Sequence, residues 1–135
     1  MGETGGCHCG AITYEIAEGA QPDHHALCHC SDCRCASGAP AVAWALFDAA
    51  SVTIDGTPHE YHSSEYGRRQ FCAKCGTSLF YTNAEIFPGK VDIQSATLDN
   101  PDAFPLGGQI QLAERIGWMG KLDSLPTFDR YPGMD

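Results

Sequence analysis

"LCHCSDCR", Leu27–Arg34, places three cysteines, Cys28, Cys30 and Cys33, within six residues. Residues i and i+2 of an extended segment face the same side. Cys28 and Cys30 can therefore reach one metal ion while His29 points away. Ser31 is an N-cap type of residue followed by Asp32, and it opens a helix of about two turns ending at Gly38. Cys33 then lies in the first turn, where main-chain N–H groups and the helix dipole favour a thiolate. Cys35 falls about 200° further round a helix of roughly 3.6 residues per turn and points away. Three sulfurs with a vacant fourth position make a catalytic zinc site; a fourth sulfur from Cys35 makes a closed, structural one. Both arrangements stay open at this level, as does the origin of any fourth ligand.

The chain has eight cysteines, and the other four form two pairs. Cys7 and Cys9 are a C-x-C pair with the same i, i+2 geometry. Cys72 and Cys75 form "CAKCG", in which the chain must turn between ligands, and Gly76 tolerates the positive φ of such a turn. Two plus two makes a closed four-cysteine site that clips the N-terminal region to a turn 63 positions later (72 − 9). Closed zinc sites contribute folding energy directly, on the order of 10 kcal/mol in metal-binding peptides. A different pairing, Cys30/Cys33 with Cys72/Cys75, gives a C-x-x-C…C-x-x-C ribbon but strands Cys7 and Cys9 and leaves Cys28 unused. An even cysteine count also suits a disulfide framework. The tight spacings and the lack of a basic, apolar leader at the N-terminus favour metal in a reducing compartment, so a cytoplasmic protein is expected.

Between the cysteines the chain reads as short strands punctuated by Gly, Pro, Asn and Asp. They are Ala11–Ile16, Ala41–Phe47, Ser51–Asp55, His59–Ser64, Ser78–Asn83, Lys90–Ala96 and Gln109–Glu114. No window of a dozen residues carries a helical apolar stripe. A short helical turn is expected at Asn100–Ala103, with Pro101 at its first position. The expectation is a mainly β single domain over residues 1–135, with the apolar residues of the C-terminal stretch (Leu122, Leu125, Phe128, Tyr131) packed onto it. The net charge of −9, from 8 basic and 17 acidic residues, argues against nucleic acid and anionic membranes as partners. No apolar run approaches the roughly 18 residues of a membrane span.

Three blocks, "GGCHCGAITYEI", "CHCSDCRCASGAP" and "FCAKCGTSLFY", with the ending "LPTFDRYPG", resemble the glutathione-dependent formaldehyde-activating enzymes, also called the centromere-protein-V-like family. The resemblance runs along nearly the whole chain. It implies a β-tent fold of antiparallel sheets and two zinc ions per chain. The structural zinc would be held by Cys7, Cys9, Cys72 and Cys75, the catalytic zinc by Cys28, Cys30 and Cys33. It implies a carbon–sulfur lyase of the S-(hydroxymethyl)glutathione synthase type, joining a thiol such as glutathione to a small aldehyde, formaldehyde in the family's named reaction. The competing reading is a non-enzymatic β-tent module with two structural zinc sites.

Addition of a thiol to an aldehyde moves one proton, so one acid/base group suffices. His29 and Asp32 adjoin the block, and His24, His25, His59 and His62 are further candidates. A histidine on the face opposite the ligands is more often packed or solvated, and that is the stronger reading for each. An anionic thiol needs a basic group, and Arg34 and Arg68 are the candidates for gripping glutathione, with Arg69 and Lys74 nearby. Offsetting the charge of the thiolate-rich sites is the other role open to them.

Overall fold

A computed structural model of the chain describes residues 2–133. Two sheets face each other across an apolar core. The smaller is antiparallel, in the order β1 (Thr4–Gly6), β2 (Thr13–Ile16), β5 (Val52–Asp55). The larger runs β10 (Gly108–Ile110), β3 (His24–Cys28), β4 (Val42–Asp48), β9 (Lys90–Gln94), β8 (Ser78–Asn83), β7 (Gly67–Phe71), β6 (His59–His62). Its neighbours are antiparallel except β10 and β3, which run parallel. The mainly β expectation holds, with this one parallel edge pair added.

The pleat sorts the large sheet into two faces. Ala45, Phe47, Phe80, Val91 and Ile93 turn toward the small sheet and meet Tyr14 and Ile16. Tyr14 packs edge-on against Phe80, and Phe47 against Phe104, each with ring centroids 5.4 Å apart. The opposite face carries a separate, smaller cluster of Cys28, Cys33, Val42 and Trp44. Helix α1 (Ser31–Ser37) lies beside β4. It stops where Gly38 adopts φ 73°, a left-handed cap that lets its N–H reach the Arg34 carbonyl.

Some expectations needed correction. Strands β1 and β7 escaped notice because "TGG" has no apolar residue and "GRRQF" looks charged. Each is strand because a neighbour pairs with it, tertiary context overriding propensity. The strand expected at Gln109–Glu114 ends at Ile110, because Gln111 adopts φ 57° and the chain turns into a 3-10 segment at Leu112–Glu114. Asn100–Ala103 is a β-turn closed by Ala103 N–H to the Asn100 carbonyl (3.1 Å), and the Asn100 side chain accepts from Asp102 N–H (3.2 Å) instead of capping a helix. The C-terminal stretch does not pack down. Leu122, Leu125, Phe128 and Tyr131 are all exposed, and the 3-10 segment Gly117–Ser124 has no buried residue. Short 3-10 turns broken by prolines present no continuous apolar face to bury. Among the described residues no helix is long and apolar enough to cross a membrane.

Candidate metal centre

All eight cysteines are free thiols, and seven gather into two clusters. Within each cluster the sulfurs lie within 4.8 Å of one another. The first joins Cys7 and Cys9, in the β1–β2 connection, to Cys72 and Cys75, in the β7–β8 connection. It therefore staples the small sheet to the large one. Cys7 and Cys9 sulfurs stand 3.6 Å apart, and those of Cys9 and Cys72 stand 3.8 Å apart. Sulfurs about 2.3 Å from one tetrahedral zinc stand about 3.8 Å from each other, so this cradle fits a zinc ion. A disulfide needs about 2.05 Å and is excluded.

Local structure explains the cradle. Ile12 N–H donates to Cys7 Sγ (3.3 Å), Cys75 N–H to Cys72 Sγ (3.4 Å), and Gly76 takes φ 82° as its position after C-x-x-C requires. Thr77 ties the two halves together, its hydroxyl accepting from His8 N–H (3.0 Å) and lying 3.3 Å from Cys75 Sγ. Hydrogen bonds from the Thr77 side chain and backbone hold the Cys75 thiol down to about 5.

The second cluster is Cys28, Cys30 and Cys33 alone. Cys35 is exposed and outside it, and Cys72 and Cys75 group with Cys7 and Cys9 rather than with Cys30 and Cys33 as the ribbon pairing would have them. The helix cap is Cys30 itself rather than Ser31, its Sγ accepting from Cys33 N–H (3.3 Å). Burial pushes the Cys28 thiol up to about 12 and raises that of Cys33, the latter against the pull of the Trp44 side chain and the Arg69 charge. Three sulfurs side by side, two of them buried, do not all ionise without a cation among them. The donor set of three gathered sulfurs fits zinc with one position not filled by protein.

The loop carrying this cluster is strapped by the segment after β10. His29 N–H donates to the Ile110 carbonyl (3.1 Å), and His29 Nε2 meets Gln109 Oε1 at 2.8 Å. Ser31 N–H donates to Glu114 Oε1 (3.0 Å), which lowers the Glu114 carboxyl below the usual range. Arg34 Nη1 donates to the carbonyls of His29 (2.8 Å) and Glu114 (2.5 Å). Two residues singled out in the sequence for substrate chemistry, His29 and Arg34, are thus parts of a brace. His29 is fully buried with its Nδ1 unpartnered, on the side of the loop away from the sulfurs. Arg68 is likewise engaged, donating to the carbonyls of Ser64, Glu65 and Gly67. His25 is buried between Ser95 Oγ (2.7 Å) and the Pro105 carbonyl (3.1 Å), His24 faces Phe87, and His62 pairs with Glu60 (3.3 Å).

The residue that does face the thiols is Arg69. Its Nη1 and Nη2 lie 3.9 and 3.8 Å from Cys33 Sγ, and its guanidinium sits 5.1 Å from the centroid of the Tyr81 ring. Register explains this placement. Tyr61, Arg69, Tyr81, Asp92, Leu46 and His24 form one cross-strand row over six strands, on the face that also carries Cys28. Two depressions of about 370 and 310 Å³ flank Arg69 and share Ala36 and Tyr61 with it. His59 lines the first, and Asp32 and Cys35 line the second. A larger hollow of about 450 Å³ lies on the small sheet, next to Cys7 but remote from the second cluster, and offers no basic side chain.

The glutathione-dependent formaldehyde-activating enzyme family model matches residues 3–111. An uncharacterized lyase of Schizosaccharomyces pombe is 27% identical over 122 residues, 80% of this chain and 88% of that protein. A Halomonas elongata protein, provisionally named a glutathione-dependent formaldehyde-activating enzyme, is 31% identical over 84 residues, 56% of this chain and 53% of its own length. The crystal structure of a Rhodobacter sphaeroides protein superposes with a TM-score of 0.61 at 20% identity, covering 78% of this chain and 98% of that one. That last similarity establishes a shared fold.

Proposed function

The chain belongs to the glutathione-dependent formaldehyde-activating enzyme family, and from that premise we propose that it is a zinc-dependent carbon–sulfur lyase. It adds a glutathione-like thiol to a small aldehyde in the reducing cytosol. The observation that carries this reading is the second cluster, three sulfurs gathered without Cys35 and joined through Arg69 to two solvent-facing depressions.

In this reading Cys7, Cys9, Cys72 and Cys75 hold a structural zinc, and Cys28, Cys30 and Cys33 hold the catalytic one. Zinc bound by three thiolates supplies a soft Lewis acid with one exchangeable position, able to keep a substrate thiol ionised at neutral pH. The thiolate sulfur adds to the carbonyl carbon, the carbonyl electron pair moves to oxygen, and that oxygen takes one proton. One C–S bond forms and no oxidant is needed. The brace of Gln109, Ile110, Glu114 and Arg34 keeps the three sulfurs converged, and Trp44 and Tyr81 wall off one side. Proton transfer falls to solvent or to the exposed Asp32, because His29 is sealed from the depressions.

Formaldehyde, glutathione and their adduct exchange on a timescale NMR can follow. The protein is expected to accelerate that exchange, and Cys30→Ser to return it to the protein-free rate. Equal rates for the two proteins would refute the activity.

A further inference from the structure

We propose that Arg69 is an anion receptor beside the three thiols. In the lyase reading, on which this second half rests, it receives the negative oxygen formed as the thiolate adds to the aldehyde.

Arg69 is held in place before any substrate arrives. Tyr81 supports the guanidinium from below as its cross-strand neighbour, and the Trp44 ring abuts Tyr81 with centroids 6.1 Å apart. Cys33 Sγ takes two of its N–H groups. A guanidinium has five N–H donors, and among the described residues Arg69 has no carboxylate within ion-pair distance and no further acceptor. In a chain of net charge −9, Arg69 points its free N–H groups at no carboxylate, whereas Arg34 and Arg68 each spend Nη1 on main-chain carbonyls. Arg69 is the one Lys or Arg lining the two depressions flanking the thiols, and it lines both. Fixed donors aimed at the place where charge develops are the most effective kind of electrostatic catalyst, because they need no reorganisation during the reaction.

The step balances as follows. A thiolate lone pair forms the S–C bond, the C=O π pair becomes an oxygen lone pair facing Arg69, and water supplies the proton that ends on that oxygen. Arg69 keeps its own protons throughout, as an arginine must near neutral pH.

Two measurements on the intact, metal-loaded protein decide the matter. The first compares initial alkylation rates with anionic iodoacetate and neutral iodoacetamide, resolved by fragment-ion mass spectrometry at Cys33, with N-acetylcysteine in the same solution as the reference thiol. An anion receptor raises the iodoacetate-to-iodoacetamide ratio at Cys33 over that of N-acetylcysteine by about tenfold. Arg69→Gln should remove the excess and Arg69→Lys should retain part of it. An unchanged ratio in Arg69→Gln would overturn the receptor. The second measurement compares glutathione with the uncharged thiol 2-mercaptoethanol. Arg69→Gln should lower kcat about 100-fold for both thiols with KM little changed. A rise in KM confined to glutathione would overturn the oxyanion role and make Arg69 a carboxylate anchor. Unchanged zinc content and circular dichroism in Arg69→Lys guard against a folding artefact. Should the unmodified protein accelerate addition of neither thiol, the lyase reading fails, and the alkylation ratio still decides the receptor.

Discussion

The two thiol clusters are built from the same residue and differ in what they join. The four-sulfur cluster draws its ligands from turns of two different sheets, and Cys7 and Cys72 are members of the main apolar core. The three-sulfur cluster draws its ligands from six consecutive residues and connects nothing distant by itself. It sits on the outer face of the large sheet, held from behind by a brace and faced by Arg69. On the proposed reading, thiols far apart in sequence make a staple, whose removal should cost the fold, and thiols close together make a tool, whose removal should cost only the chemistry.

The sharpest way to break this distinction is to remove one ligand from each cluster. Cys72→Ser should leave the protein largely unfolded by circular dichroism and limited proteolysis. A closed zinc site is worth on the order of 10 kcal/mol, comparable to the whole stability of a domain, about 5–15 kcal/mol. Cys30→Ser should stay folded while losing one equivalent of zinc by elemental analysis. A well-folded Cys72→Ser would dissolve the contrast.

The two faces of the large sheet also differ electrostatically. The core face is apolar, whereas the outer face holds Asp92, 6% exposed, with Oδ1 unpartnered and Tyr81 and Leu46 as its cross-strand neighbours. Burial pushes its carboxyl up to about 7 from an ordinary 3.8. Between those two values the folded state keeps a proton that the unfolded state has released. Stability therefore falls as pH rises through that window and is flat on either side. Asp92→Asn should raise stability at pH 8 by roughly 1–3 kcal/mol and leave it unchanged at pH 3, as read from urea midpoints. An equal gain at both values would remove ionisation as the cause.

A smaller effect is expected from the brace. Glu114→Gln weakens the cap on Ser31 N–H and should speed zinc loss from the three-sulfur cluster by about tenfold, leaving the four-sulfur cluster alone. Metal release to a chromophoric chelator in two phases would show this, and equal acceleration of both phases would contradict it. Smallest of all, Cys35→Ser should leave the zinc content unchanged. A lost equivalent would mean that Cys35 does ligate.

Much of this was legible in the residues. The i, i+2 and i, i+3 cysteine spacings pointed to both thiol groups that the fold assembles, because such short spacings admit few backbone paths, while the ribbon pairing and the place of Cys35 stayed open. Gly38 and Gly76 marked their turns correctly, since both positions take positive φ. What stayed hidden was whatever depends on pairing between distant strands. Arg68 and Arg69 are adjacent, yet the pleat turns Arg69 toward the thiols and leaves Arg68 among the carbonyls of its own turn. Nothing local distinguishes them until Tyr61 and Tyr81 are known to flank Arg69. The brace was equally out of reach, because Gln109 and Glu114 lie some 80 residues from the loop they hold.

That separation sets an order of events on the ribosome. Cys28, Cys30 and Cys33 leave the exit tunnel early, but the segment that locks their loop emerges only after residue 114. The sheet-to-sheet staple can close as soon as residue 75 is clear. During synthesis the nascent chain therefore secures its architecture first, and the three-thiol loop acquires its final shape only when the later strap has followed.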